Sequence, residues 1–289
     1  MVDKTLSKVC DGKTPSEILD ISVADIACGS GIFLEEAFAY LQDYCVQWYI
    51  CNGQTDHLIE TGIDLYKLPL QEKKDILCSC IYGIDIDIHA VEVAKFSLLI
   101  KLIEDETAPS VSEVVPILPD LGDNIQFGNS LVSQTELNGI SGANHQMMEI
   151  APFDWSTINN GCGFDVIIGN PPYVNTEGMH ALLPSAEVEI YKKKYKTSHK
   201  QFDKYFIFIE QAINKINENG LVCYIVPNKF FKIGAGEKLR NLIAKERMLV
   251  SLDDFGDAQL FEDKTIYSSI ILLSKAKQTS FVYSSVDSA

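Results

Sequence analysis

Apolar positions along the chain follow two alternating rhythms, short unbroken runs and longer stretches at helical spacing. The runs Ile21 to Ile26, Ile81 to Ile86, Ile125 to Phe127, Val166 to Ile168, Leu221 to Val226, Leu249 to Leu252 and Ser269 to Leu273 predict strands. A last strand pattern, Phe281 to Tyr283, stops almost at once and suggests a domain taken from a longer protein. Between the runs, Phe33, Leu34, Ala37, Phe38 and Leu41 mark one helix, and Ala90, Val93, Ala94 and Leu98 mark a second. A third, with Phe206, Ile209, Ala212, Ile213 and Ile216 facing a core, is predicted to close at Asn219-Gly220. A fourth lies near 236–246, and Thr14-Pro15-Ser16-Glu17 reads as a helix start within an otherwise pattern-poor segment 1–20. Strands alternating with helices predict an α/β fold built on a doubly wound, mostly parallel sheet.

At 289 residues and 46% apolar, the chain can bury a full core. A single domain over 1–289 is expected, with its core at about 21–275 and insertions at about 52–79, 105–123 and 133–162. No run reaches the roughly 18 to 20 apolar residues of a membrane span, and the first residues lack the basic-then-apolar order of an export signal. Eight cysteines contain no C-x-x-C pair, so free buried thiols in a reducing, cytoplasmic setting are expected rather than four bridges. A metal site on Cys78-x-Cys80 lacks partner ligands, and none is expected.

The net charge of -16 argues against nucleic acid until its distribution is seen. Residues 1–150 hold 8 basic and 24 acidic side chains, whereas residues 151–289 hold 16 of each. The second half carries Lys192-Lys193-Lys194, then Lys196, Lys200 and Lys204, interleaved with Tyr191, Tyr195, His199 and Tyr205. Such a run is either a solvated face or a polyanion contact, and the interleaved rings make Lys192, Lys193, Lys194, Lys196 and Lys200 candidates for nucleic acid.

Four strand ends carry polar signals. The first runs into Asp25-Ile26-Ala27-Cys28-Gly29-Ser30-Gly31-Ile32-Phe33-Leu34, a strand, glycine turn and helix. Glycines let backbone approach a ligand, and helix N–H groups point at it. Leu34 stands where a dinucleotide fold wants a third glycine, and G-x-x-x-x-G-K-[ST] is absent, so neither a nicotinamide cofactor nor a nucleoside triphosphate is indicated. The second end, Gly83-Ile84-Asp85-Ile86-Asp87, offers Asp85 to ribose hydroxyls and Asp87 as the cap of the next helix, although either could be the cap. The third is Gly128-Asn129-Ser130. The fourth, Gly169-Asn170-Pro171-Pro172-Tyr173, is a stiff corner rich in acceptors beside a flat ring, which suits a flat substrate offering an amino group. Each has a structural explanation alone. Together they would converge on one sheet edge, where open α/β sheets bind ligands.

D-x-A-C-G-S-G-x-F-L followed downstream by N-P-P-Y resembles the gamma-ordered S-adenosylmethionine-dependent adenine-N6 DNA methyltransferases, a group with type I modification subunits and type IIG restriction–modification enzymes. The resemblance covers roughly residues 21 to 275. It implies a Rossmann-like sheet of seven strands with an antiparallel C-terminal strand. It also implies S-adenosyl-L-methionine as cofactor and double-stranded DNA as partner, with a target-recognition domain or specificity subunit beyond residue 289. Asp25, Ala27, Cys28, Gly29, Ser30, Gly31 and Phe33 would hold its methionine part, and Asp85 with Ile86 its ribose. Asn129, where the family usually has aspartate, would face its adenine with Ser130, and Asn170 would border it. The family's upstream motif, a helix and loop over the methionine carboxylate, has no evident counterpart in residues 1–20.

The resemblance also implies the catalytic set Asn170, Pro171, Pro172, Tyr173 and Phe261. The Asn170 oxygen and Pro171 carbonyl can accept the two protons of an exocyclic amine, localising a lone pair that is otherwise delocalised into the ring. Tyr173 would stack on a flipped base, with Phe261, or Tyr267 in second place, opposite it. N-P-P-[YF] also serves methylation of RNA bases and protein glutamines, and cytosine-N4 chemistry is close. A cofactor- or DNA-binding fragment without activity of its own is the non-enzyme alternative. No P-D-x-n-[DE]-x-K nuclease signature is present, so cleavage would lie outside these residues.

Overall fold

An eight-stranded sheet runs through the molecule, and its order decides which strand ends meet. The strands are β1 (Val23–Asp25), β4 (Ile81–Asp85), β5 (Ile125–Phe127), β6 (Phe164–Gly169), β7 (Ile216–Pro227), β8 (Leu249–Gln259), β9 (Tyr267–Ser274) and β10 (Val282–Ser285). β2 (Ile59–Gly62) and β3 (Leu65–Lys67) form a separate antiparallel ribbon. The structure is a computed structural model and describes residues 1–106, 115–138, 146–259 and 267–285. Across the sheet the order is β10-β8-β9-β7-β6-β1-β4-β5. β5, β4, β1, β6 and β7 are parallel, and β9 runs antiparallel to both β7 and β8. The doubly wound sheet with an antiparallel strand near the C-terminus is therefore as expected, but it has eight strands instead of seven. The extra strand is β10, paired parallel to β8. It coincides with the last strand pattern, Phe281 to Tyr283, and its Val282 and Tyr283 are exposed at the sheet edge.

Burial on both faces explains the unbroken apolar runs. In β6, Phe164 and Ile167 join one core, with Tyr191, Phe206 and Leu239, while Val166 and Ile168 join the other, with Leu6, Phe38, Ile76 and Leu98. Fully burying each such side chain contributes roughly 1.5–3 kcal/mol. Helices Val2–Cys10, Ile32–Cys51, Leu70–Cys80 and Ile88–Ile103 supply the second core, and Ser185–Lys194, Lys204–Lys215 and Glu237–Lys245 supply the first.

Two helix expectations need adjustment. The helix start at Thr14 is present, with a capping box to Glu17, but Val2–Cys10 is a further helix, buried through Leu6 and Cys10. The helix expected to run to Asn219-Gly220 ends at Lys215, because Ile216 is extended and pairs with Phe164 at the start of β7. Gly220 instead marks a close passage, where a Cβ would meet the Phe164 carbonyl oxygen at 2.8 Å.

The segment 52–79 contains the β2–β3 ribbon and most of helix Leu70–Cys80, which buries Ile76 and Leu77. Lys67 and Lys73 both pair with Glu106, at 2.9 and 2.7 Å. All eight cysteines are unpaired, as expected, but only five are buried: Cys51 and Cys162 are exposed and Cys78 is half-buried. Among the described residues no group of side chains could hold a metal ion, and no helix is long and apolar enough to cross a membrane.

Candidate active site

The chain leaves β1 for β4 and β5 on one side and reaches β6 and β7 on the other, so the carboxyl ends of β1 and β6 flank the place where strand order reverses. Asp25 ends β1. It is buried, and its Oδ1 accepts the Ala27 N–H at 3.0 Å. Removal from water, with the neighbouring Asp85 acting the same way and the Ala27 N–H opposing, pushes its pKa from 3.8 up to about 7. A Cβ at Gly169 would lie 2.5 Å from that carboxylate, so only glycine lets β6 end beside β1.

The loop after Asp25 is tied to β4. Cys28 N–H donates to the Ile84 carbonyl at 3.0 Å, and Gly29 N–H donates to Asp85 Oδ2 at 2.8 Å. Gly31, at φ 89°, begins helix Ile32–Cys51 and lies so close to Ala94 that a Cβ would sit 3.1 Å from the alanine's own. Cys28 and Phe33 pack into the core below the loop. Asp85 Oδ1 accepts the Asp87 N–H at 2.9 Å, and Asp87 is the helix cap, accepting from His89 N–H at 2.9 Å. Asp85 thus organises two backbone turns, and it also lines a cavity of about 240 Å³ between the loop and the Asn170 corner.

Ile26, Ala27, Asp85 and Ile86 line that cavity from the ends of β1 and β4, Gly128, Asn129 and Ser130 from the end of β5, and Asn170, Pro172, Lys204 and Phe208 from the corner after β6 and helix Lys204–Lys215. Asn129 is buried, with Oδ1 accepting Leu131 N–H at 3.1 Å and Nδ2 donating to Glu187 Oε1 at 3.0 Å. The Ser130 hydroxyl donates to the Ile26 carbonyl at 2.6 Å. The lining fits a nucleoside: a carboxylate for hydroxyls, apolar surfaces at Ile86, Pro172 and Phe208 for a ring, and the polar groups of Asn129 and Ser130. The volume is below the roughly 300–1,000 Å³ of most small-molecule pockets, enough for only part of a longer ligand. A larger cavity of about 770 Å³, between Phe230, Ile243, Leu252 and Tyr283, is mostly apolar and contains none of the strand-end motifs.

At the corner, Pro171 is buried while Asn170 and Pro172 are exposed. The Tyr173 hydroxyl lies within hydrogen-bonding distance of both Asn170 Oδ1 and the Ile225 carbonyl, the latter at 2.9 Å. Its ring meets Tyr205 edge-on at 5.9 Å. Burial, and then the Asp203 charge, hold the phenol well above its usual range.

The basic run is not the interleaved surface its sequence suggests. Tyr191, Tyr195 and Tyr205 are buried core residues and offer no platform for bases. Lys193 pairs with Glu189 at 2.6 Å, Lys194 with Glu136 at 3.1 Å and Lys200 with Glu237 at 3.8 Å, while Lys192 meets His180 Nε2 at 3.2 Å. Lys196 is exposed and has no acidic partner among the described residues. Phe261 lies outside the described residues, and Tyr267 is half-exposed at the start of β9. Lys204, Phe208 and Glu187 belong to the site or its support and were not singled out for it. The large apolar neighbours of Lys204, namely Phe202, Tyr205 and Phe206, were the available signal that it is not a surface lysine.

Comparison with known proteins identifies the family and the fold. A family model, Eco57I restriction-modification methylase, matches residues 79–261. The type II restriction enzyme and methyltransferase RM.Eco57I of Escherichia coli is 43% identical over 283 residues, which are 98% of this chain and 27% of that protein. The chain thus spans about a quarter of that relative's length. Among solved structures, a nuclease-deletion mutant of the type ISP restriction-modification enzyme LlaGI, in complex with a DNA substrate mimic, aligns with a TM-score of 0.61 at 17% identity, covering 99% of this chain and 23% of that one. A putative class I S-adenosylmethionine-dependent methyltransferase from Listeria monocytogenes aligns at 0.56 and 16% identity, covering 99% of this chain and 63% of that one. The fold is that of the S-adenosylmethionine-dependent methyltransferases, and the chain belongs to the Eco57I restriction-modification methylase family.

Proposed function

We propose that this chain is the catalytic part of a DNA adenine-N6 methyltransferase of a restriction–modification system. The observation that carries the reading is one cavity bordered on one side by Asp85 and on the other by Asn170 and Pro172. S-Adenosylmethionine, when bound, supplies an electrophilic methyl group. Asp85 is placed to take ribose hydroxyls, and Ile86, Pro172 and Phe208 to enclose the adenine ring. Asn170 Oδ1 and the Pro171 carbonyl accept the two protons of the target amine and so direct its lone pair. Pro171 and Pro172 keep the corner from relaxing, and no strong base is needed when acceptors are fixed in advance. The target base leaves the duplex at a cost of a few kcal/mol, and stacking on Tyr173 returns about 1–3 kcal/mol. Phe261 is proposed opposite it. The unpaired cysteines suit a reducing, cytoplasmic setting.

Asn170→Ala in the intact protein is the test. Methyl transfer to duplex DNA should fall by at least about a hundredfold, as for loss of one fixed transition-state partner, with affinity for S-adenosylhomocysteine retained. Chromatography of the digested product should show N6-methyladenosine as the deoxynucleoside. Normal transfer by the variant, or N4-methylcytosine as product, overturns the reading. A second point concerns DNA affinity: Lys193, Lys194 and Lys200 are ion-paired. We therefore infer that Lys192, Lys193, Lys194, Lys196 and Lys200 supply a supporting phosphate contact, and that most DNA affinity comes from a target-recognition domain or specificity subunit elsewhere in the assembly.

A further inference from the structure

Lys204 is the one cation on the cavity wall, among the described residues. It opens helix Lys204–Lys215, and its backbone N–H donates to the Val174 carbonyl at 2.9 Å, which fixes its position beside the Asn170 corner. Its side chain is 10% exposed. Nζ lies 5.6 Å over the Tyr191 ring and 3.9 Å from Glu187 Oε1. That separation gives electrostatic attraction but no hydrogen bond. No acceptor among the described residues lies within hydrogen-bonding reach of Nζ. An ammonium with three donors and no hydrogen-bonded protein acceptor has capacity for a ligand, and Lys204 lines the cavity.

Glu187 explains why the ammonium stays there. Its side chain is 1% exposed, and the oxygen facing Lys204 also accepts from Asn129 Nδ2 at 3.0 Å and from the Tyr191 hydroxyl. One carboxylate oxygen therefore sets both Asn129 and Lys204 on adjoining parts of the wall. Burial lowers the Lys204 pKa on balance, with the Glu187 and Asp85 charges opposing it.

We infer that Lys204 is a specificity-determining residue of the cofactor site, donating from Nζ to a ring nitrogen of the bound adenine, with Glu187 as its positioning residue. The inference rests on the cavity being the nucleoside site. On that reading Asp85 takes the ribose, and Lys204 lines the same cavity as Pro172 and Phe208, whose apolar surfaces suit the base. A lysine here reads an acceptor, so it favours a purine edge with an unprotonated ring nitrogen over one bearing N–H.

Calorimetric binding of S-adenosylhomocysteine and its 1-deaza, 3-deaza and 7-deaza analogues to the intact protein and to Lys204→Met tests this. In the wild-type protein one analogue should bind about tenfold or more weaker than the parent, as expected for a lost hydrogen bond to a charged group. Lys204→Met should bind the parent about tenfold weaker and treat that analogue and the parent alike. Equal ranking of the four ligands by both proteins overturns the inference and leaves Lys204 as part of the wall. The wild-type series also stands alone: if no analogue binds weaker than the parent, the inference fails whether or not the variant folds. If the wild-type protein does not bind S-adenosylhomocysteine, the nucleoside reading itself falls, which is a distinguishable result.

Discussion

The two sides of the cavity are held in shape by opposite means. On the glycine-loop side, carboxylates are met by backbone N–H groups from nearby turns: Asp25 by Ala27, and Asp85 by Gly29 and Asp87. On the Asn170 side, side chains meet side chains: Asn170 with Tyr173 of the same corner, Glu187 with Tyr191 of its own helix and with Asn129, and Asp203 with Lys229 at 2.8 Å. Asp203 Oδ1 remains buried without a partner there. Backbone-held geometry follows from strand register and forms with the sheet. Side-chain-held geometry can be altered residue by residue. Substitutions on the first side should therefore be felt as stability, and those on the second as chemistry.

Gly169→Ala gives the largest expected effect, because Gly169 joins the two sides. Its Cβ would stand 2.5 Å from Asp25 Oδ1, against a strand buried on both faces. Denaturant unfolding should show a loss of roughly 1–3 kcal/mol or more, with methyl transfer lost as well. Wild-type stability would mean that the sides are not locked together at this point.

Asp25→Asn sharpens the comparison through pH. The folded-state pKa, about 7, lies above the usual 3.8, so the folded chain holds this proton more tightly than the unfolded one. The stabilisation is full below about pH 4 and is lost as pH rises through about 7. Asparagine can still accept from Ala27 N–H and carries no charge. Unfolding free energies of the two proteins should diverge in the variant's favour over that window by an amount on the order of a few kcal/mol, then run parallel above it. Parallel curves throughout would place the Asp25 pKa near its ordinary value.

Tyr173→Phe should have the smallest effect. It removes one hydroxyl on the side-chain-held side, so stability should drop by about 0.5–1.5 kcal/mol, and kcat should shift within about tenfold. Affinity for S-adenosylhomocysteine should be unchanged. A tenfold loss of that affinity would show that the two sides are coupled.

The sequence made the backbone-held side legible and left most of the other hidden, for the same reason. Apolar runs ending at Asp25, Asp85 and Gly169 reveal strand ends directly, because each functional residue sits at a fixed offset from a pattern. Lys204 and Glu187 carry charges that read as surface in a linear chain, and only helix packing shows them buried together. Tyr191 and Tyr195 were misread in the converse way, since lysines on either side disguised two core rings. Helix Val2–Cys10 does carry an apolar stripe, Val2, Leu6, Val9 and Cys10, but it is only nine residues long and the polar residues between them mask it. The end of helix Lys204–Lys215 was misplaced because Asn219-Gly220 is a stop signal, while the chain had already been turned at Ile216 by pairing with Phe164.

The Tyr173 hydroxyl has one proton and two acceptors within reach, Asn170 Oδ1 and the Ile225 carbonyl. On the proposed function, an amine arriving at Asn170 would displace the phenol without stranding it, because rotation about one C–O bond turns the proton to Ile225. The corner would then hold one more hydrogen bond with its guest than it held alone. Admission is a change of partners with little net loss, and the reactive acceptor is occupied until the moment it is needed.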